Sequence, residues 1–161
     1  GVLDVKTLAF WLYLTSTMIV VAVVDFKFQL IPTTFVFAAS LIALVYNYLT
    51  LSSPIFIDCV LAAFGAALFF LAIVIFTRGK GMGQGDVAVG FLIGIVLGIK
   101  ATVLSLFLAF FSGALVSLLL IALGRKKFGQ TVPFAPFLVL GFLASLFFSK
   151  QILDWYLGML Y

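Results

Sequence analysis

The chain has 161 residues, 66% of them hydrophobic and only 9% charged, with a mean hydropathy of +1.40 and a formal charge of +4 at pH 7. A chain of this composition cannot cover itself with polar surface in water, which excludes a soluble domain and points to a membrane protein. With no histidine and one cysteine, a Ser-His-Asp or Cys-His nucleophile, an HExxH site, a multi-cysteine metal site and an internal disulfide are excluded as well.

Charge-free runs cover residues 7–24, 28–57, 59–77, 87–99, 101–124 and 128–149. Several reach the ~18 residues that a bilayer-spanning helix needs. Six spans are expected, forming one membrane-embedded all-α bundle over residues 1–161, because helices satisfy their own backbone in lipid. A β-barrel is set aside: LVSLLLIAL (115–123) lacks the alternation that barrel strands require. Gly1 stands where Met would begin a chain, so a processed product or a piece of a longer protein is expected. The first run, followed by five more, is read as a helix rather than a signal peptide. Pro32 starts the second span, and Cys59 in the third is a small packing residue. In the fourth, Gly90, Gly94 and Gly98 recur every four residues and imply close helix packing. That run covers only ~20 Å, so its helix either begins in the preceding glycine loop or leaves its first turn in a water-accessible hollow. Pro133 and Pro136 delay the last helix and expose backbone near the inner face.

Basic residues favour the cytoplasmic side. With the N-terminus outside, the inner gaps hold Lys27, Arg78, Lys80, Arg125, Lys126 and Lys127, and the outer ones Lys6, Lys100 and Lys150. The N-terminus is therefore expected outside. These cations cap helices instead of lining one face, so no nucleic-acid partner is expected.

All five acids are aspartates. Asp4, Asp58 and Asp154 fall near outer span ends, where water or headgroups solvate them. Asp25 lies near the inner end of the first span, and Asp86 opens the fourth after the glycine string. Two spans separate them, which returns the chain to the same membrane face. Two neighbouring carboxylates come to share a proton, one acting as base and the other as acid, which is aspartic-protease chemistry. Helix-end dipoles favour Asp86 as the carboxylate base and Asp25 as the initially protonated partner. The plainer reading makes Asp86 a helix cap and pairs Asp25 with Lys27.

The string GKGMGQGD (79–86) is neither a P-loop nor a GxGxxG. Its alternating glycines free the backbone for a close approach by another main chain, so an extended substrate can lie there. Gly83 and Gly85 are the candidate substrate-binding or loop residues, beside the candidate catalytic pair Asp25 and Asp86.

Asp25 followed by Ile31-Pro32, then GMGQGD (81–86), then VPFAPF (132–137), in that order over nearly the whole chain, resembles the type IV prepilin peptidases, a family of GxGD membrane aspartic proteases. The resemblance implies a multi-pass enzyme of the prokaryotic cytoplasmic (inner) membrane, serving type IV pili or type II secretion. It would remove the basic leader of prepilins or pseudopilins on the cytoplasmic side, cutting after a glycine, with no metal or cofactor. Many bacterial members carry a further cytoplasmic region with a zinc-binding cysteine tetrad and an N-methyltransferase activity, to which nothing in these residues corresponds. Thr33, Ala88 and Ala135 depart from the usual pattern. The alternative is a small proton-coupled transporter that uses Asp25 and Asp86 as a relay. A presenilin-like protease would need a Pro-Ala-Leu segment, which this sequence lacks.

Overall fold

The computed structural model describes residues 4–124 and 132–158, with side chains at all of them except 150 and 152–158. Gly1, Arg125, Lys126, Lys127 and the side chains of Lys150 and Asp154, on which expectations above rest, lie outside the described residues. Five helices follow in order: α1 (Val5–Phe28), α2 (Thr33–Thr50), α3 (Ser53–Phe76), α4 (Gln84–Ala122) and α5 (Ala135–Gly158). No strand occurs among the described residues. The first four helices are each long and apolar enough to cross a membrane.

The six expected runs thus occupy five helices, because the runs at 87–99 and 101–124 both lie in α4. Within α4, however, Gly98 has φ 73° and ψ 175°, a conformation that no helix contains. Before it, Gly90 faces the Phe70 ring and Gly94 faces Ala63. After it, Phe110 stacks on the same Phe70 with ring centroids 6.2 Å apart. A straight helix would hold residues 90 and 110 ~30 Å apart. Since both meet Phe70, α4 folds back on itself at Gly98, and its limbs 84–97 and 99–122 run in opposite directions along α3.

The fold-back interrupts the helical ladder, and of the backbone groups it frees, the N–H of Ile99 and the C=O of Ile95 are met by side chains. Asp58 Oδ2 accepts the Ile99 N–H at 3.0 Å, and Asn47 Nδ2 donates to the Ile95 carbonyl at 2.6 Å. The Ile95 carbonyl is met in the buried interior, where an orphaned backbone group is costly, whereas the Asp58 contact with the Ile99 N–H is exposed. Asp58, expected as a solvated acid near a span end, sits in the second turn of α3, which begins at Ser53-Pro54, and is partly exposed there.

The core is built on small residues. α4 is central, packing on α2, α3 and α5, while α1 rests on α5 and α2. The second limb buries Thr102, Ser105, Ala109 and Gly113 at intervals of three and four, and Gly141 of α5 meets the backbone of Ser105 and Ala109. Such close backbone approach is how helices associate where lipid removes the hydrophobic drive. The outward faces carry Phe35, Leu41, Leu68, Phe107 and Leu118, all more than 60% exposed in the isolated chain, as lipid-facing surfaces do.

Candidate active site

Asp25 reaches the interior because it ends a buried face. Phe10, Leu14, Met18 and Val21 recur every three or four residues along α1 and are buried, and the next position of the series is Asp25, only 6% exposed. The helix then stops: Gln29 adopts a left-handed conformation with φ 52°, and its N–H donates to the Asp25 carbonyl at 2.8 Å.

The side chain of Asp25 finds its partner 110 residues away, where the backbone N–H of Ala135 donates to Oδ2 at 3.0 Å. Ala135 is the first residue of α5, and first-turn N–H groups have no partner within their own helix. Pro133 and Pro136 bracket it. The exposed backbone expected at this motif is therefore the donor that holds Asp25. The partner is Ala135, not the Lys27 of the plainer reading.

Asp86 is the third residue of α4, which begins in the glycine loop at Gln84. Its Oδ2 accepts the Gly83 N–H at 3.1 Å, the acid's half of a capping box. The plainer reading is thus half right, since one oxygen caps the helix. The other, Oδ1, is shielded from solvent and has no hydrogen-bond partner among the described residues. Each aspartate meets one helix N-terminus, Asp86 that of α4 and Asp25 that of α5. Asp25 also keeps its place in the last turn of α1, as expected, so the N-terminus of α5 is an addition to the helix-end contrast between the two aspartates.

The glycine loop is anchored rather than loose. Arg78 (φ 51°) and Gly79 (φ 72°) turn the chain sharply after α3, and Met82, 8% exposed, is sunk into the core between Gly81 and Gly83. The glycines differ in purpose. A Cβ on Gly85 would lie 2.6 Å from Ile31 Cβ, so Gly85 exists to admit the isoleucine of the Ile31-Pro32 pair. A Cβ on Gly83 would meet nothing closer than Asp86 Oδ2 at 3.7 Å, and that space opens to the cleft.

One cleft of about 350 Å³ gathers these pieces. Asp25, the 29–31 turn, Thr33, residues 79–86 and residues 132–134 line it, so all four candidate site residues and all three sequence motifs share a single cavity. Ala135 was missed as a functional position because its contribution is a backbone N–H, which no side-chain inventory reports; the flanking prolines were the available signal.

Comparisons with known proteins bear on this arrangement. The signature of the type IV leader peptidase family matches residues 12–118, two thirds of the chain and inclusive of both aspartates. Among curated proteins, the chain is 32% identical over 151 residues to a prepilin leader peptidase/N-methyltransferase of Bacillus subtilis (strain 168), covering 89% of this chain and 57% of that protein. It is 26% identical over 158 residues to a protein of the same name from Legionella pneumophila, covering 94% and 52%. The chain thus spans about half the length of the curated relatives it matches. Solved structures give no significant match. On the extent of the signature, the chain belongs to the type IV leader peptidase family.

Proposed function

We propose that the chain is a membrane aspartic endopeptidase in which Asp25 and Asp86 are the catalytic pair, cutting the basic leader from prepilins or pseudopilins after a glycine on the cytoplasmic side of the inner membrane. The observation that carries the reading is the convergence of two buried carboxylates, from the end of α1 and the start of α4, on one cleft walled by glycine backbone. A leader peptide lies extended along residues 79–85, where Gly83 leaves room for its main chain. Gly85 holds the loop against Ile31 and so sets the position of Asp86.

The two aspartates share one proton. The ionised carboxylate takes a proton from water as the water oxygen attacks the scissile carbonyl carbon, and the protonated one gives its proton to the carbonyl oxygen. Collapse of the tetrahedral intermediate breaks the C–N bond, with a proton passing to the departing amine, and the pair returns to its singly protonated state. Backbone donors at Gly83 and Ala135 hold the carboxyls in place through this exchange. The methyltransferase activity in the relatives' names is not assigned to these residues.

Cleavage of a prepilin-type substrate by the purified protein in lipid tests the proposal. Wild type is expected to cut at the glycine, and Asp25→Asn and Asp86→Asn each to lose at least 10³-fold in kcat with substrate binding retained. Undiminished cleavage by either variant would overturn the two-aspartate mechanism.

A further inference from the structure

Among the described residues, α3 supplies no side chain to the cleft, yet one of its residues meets the segments that carry both carboxylates. Phe70 is fully buried. Its ring faces Gly90, one helical turn (~6 Å) beyond Asp86 on the first limb of α4, and a Cβ at Gly90 would run into it. The same ring meets Phe134 edge-on, with centroids 6.4 Å apart, and Phe134 directly precedes Ala135, whose N–H holds Asp25. Phe110 of the second limb closes the cluster, its centroid 6.2 Å from that of Phe70 and 4.9 Å from that of Phe134, within the range over which aromatic rings attract. Phe134 is fixed by its backbone as well, since its carbonyl accepts the N–H groups of Phe137 and Leu138 at 3.0 and 3.2 Å.

Resting on the peptidase reading above, we infer that Phe70 is a positioning residue for the cleavage reaction, a spacer of fixed width that holds the limb bearing Asp86 at a set distance from the Phe134–Ala135 segment that holds Asp25. The contact has no slack. Glycine at position 90 lets the backbone of the limb rest directly on the ring, and a close-packed interior does not refill the volume of a shortened side chain without a shift of its neighbours. Two carboxylates share a proton only while they stay within reach of each other, and a displacement of ~1 Å in a catalytic constellation costs about 10²-fold. Phe70 itself does not line the cleft, so its replacement acts on kcat through the aspartates and leaves the surface that receives substrate in place. Phe142 gives the comparison. It is as fully buried, belongs to the same core, and lies about 10 Å along α5 from Ala135.

The test is steady-state cleavage of a prepilin-type substrate in lipid by Phe70→Leu, Gly90→Ala, the two combined, and Phe142→Leu, with the thermal midpoint of each variant measured alongside. Phe70→Leu and Gly90→Ala are each expected to lower kcat about 10-fold or more at unchanged KM, the first by thinning the spacer and the second by forcing the limb off it. In the double variant the added methyl enters space that the smaller side chain vacates, so kcat is expected to recover about threefold or more from its Gly90→Ala value. Phe142→Leu is expected to lower the midpoint as Phe70→Leu does and to keep kcat within about twofold of wild type. An equal loss of kcat in Phe142→Leu would reduce Phe70 to ordinary core packing and overturn the inference. Wild-type kcat in folded Phe70→Leu or Gly90→Ala, or a change confined to KM, would overturn it too. If Phe70→Leu does not fold, Gly90→Ala set against Phe142→Leu decides alone, since it presses the same contact from the other side. Failure of wild type to cut the substrate would instead sink the peptidase reading itself.

Discussion

At the scale of single residues, the two motif glycines have different reasons to be glycine, and substitution separates them. Gly85→Ala drives a methyl group into Ile31, and the loop must shift with Asp86 next in sequence. Since displacement of a catalytic group by ~1 Å costs about 10²-fold, kcat is expected to fall by that order, and Ile31→Ala in the same chain to restore much of it. Gly83→Ala meets no protein atom within 3.5 Å and is expected to raise KM with little change in kcat, because the methyl occupies space meant for substrate. Ala135→Pro isolates the third motif. Proline is tolerated at a first helical position yet removes the N–H that holds Asp25. A loss of ~10-fold to 100-fold in kcat is expected from the missing hydrogen bond to a charged group, with Ala135→Gly, which keeps the donor, near wild type. Steady-state kinetics in lipid reads all of these. At this scale the sequence was informative where chemistry resides in side chains. Asp25 and Asp86 stood out because the other three aspartates had an interfacial excuse. It was silent where the working group is a backbone N–H, as at Ala135, or where the tolerance for a methyl depends on a residue more than fifty positions away, as at Gly85 and Ile31.

At the scale of elements, the break at Gly98 is a unit of four residues. Gly98 supplies the positive φ, its missing Cβ would stand 2.5 Å from Asp58 Oδ2, and Asn47 and Asp58 meet the Ile95 carbonyl and the Ile99 N–H. Gly98→Ala is expected to destabilise the protein by about 2 kcal/mol or more, from strain and crowding together. Asn47→Leu should cost about 1–3 kcal/mol by leaving the buried Ile95 carbonyl unpaired, and Asp58→Leu less, because the Ile99 N–H it frees is exposed. Because both serve one break, the double variant is expected to cost measurably less than the sum, by 0.5 kcal/mol or more in a double-mutant cycle of denaturant unfolding in detergent. The glycine series 90, 94, 98 was legible as a packing face, and its first two members pack as expected. That the third is a turn was not legible, since a glycine in a helix-period pattern reads the same in either role. The buried faces of α1 and α2 were equally hidden. In a lipid-embedded helix the outward positions are as apolar as the inward ones, so Phe10, Leu14, Met18 and Val21 carry no amphipathic contrast that would have pointed on to Asp25.

At the scale of the whole molecule, the number of crossings turns on α4. Its 39 residues would make a straight rod of ~58 Å, about twice the hydrocarbon thickness of a bilayer, and the return of Phe110 to the Phe70 that Gly90 already faces removes that rod. With the fold-back counted, we propose that α1, α2, α3, the two limbs of α4 and α5 make six membrane crossings, with the N-terminus outside. The cleft then opens on the same side as Lys27, Arg78 and Lys80, and the Gly98 turn and Lys100 face the opposite one. Charge counting in the sequence led to this orientation through the triplet Arg125–Lys127 above all, and the short fourth span, expected either to begin in the glycine loop or to leave its first turn in a hollow, begins in the loop at Gln84. Two positions test it directly. In inside-out vesicles of a variant with Cys59→Ala, a membrane-impermeant thiol reagent added outside should label Lys80→Cys and spare Lys100→Cys, and in right-side-out vesicles the pattern should invert. Labelling of both positions from one side would mean that the first limb of α4 does not cross, and labelling of Lys80→Cys only in right-side-out vesicles would place the cleft, and with it the proposed cleavage, on the outer face.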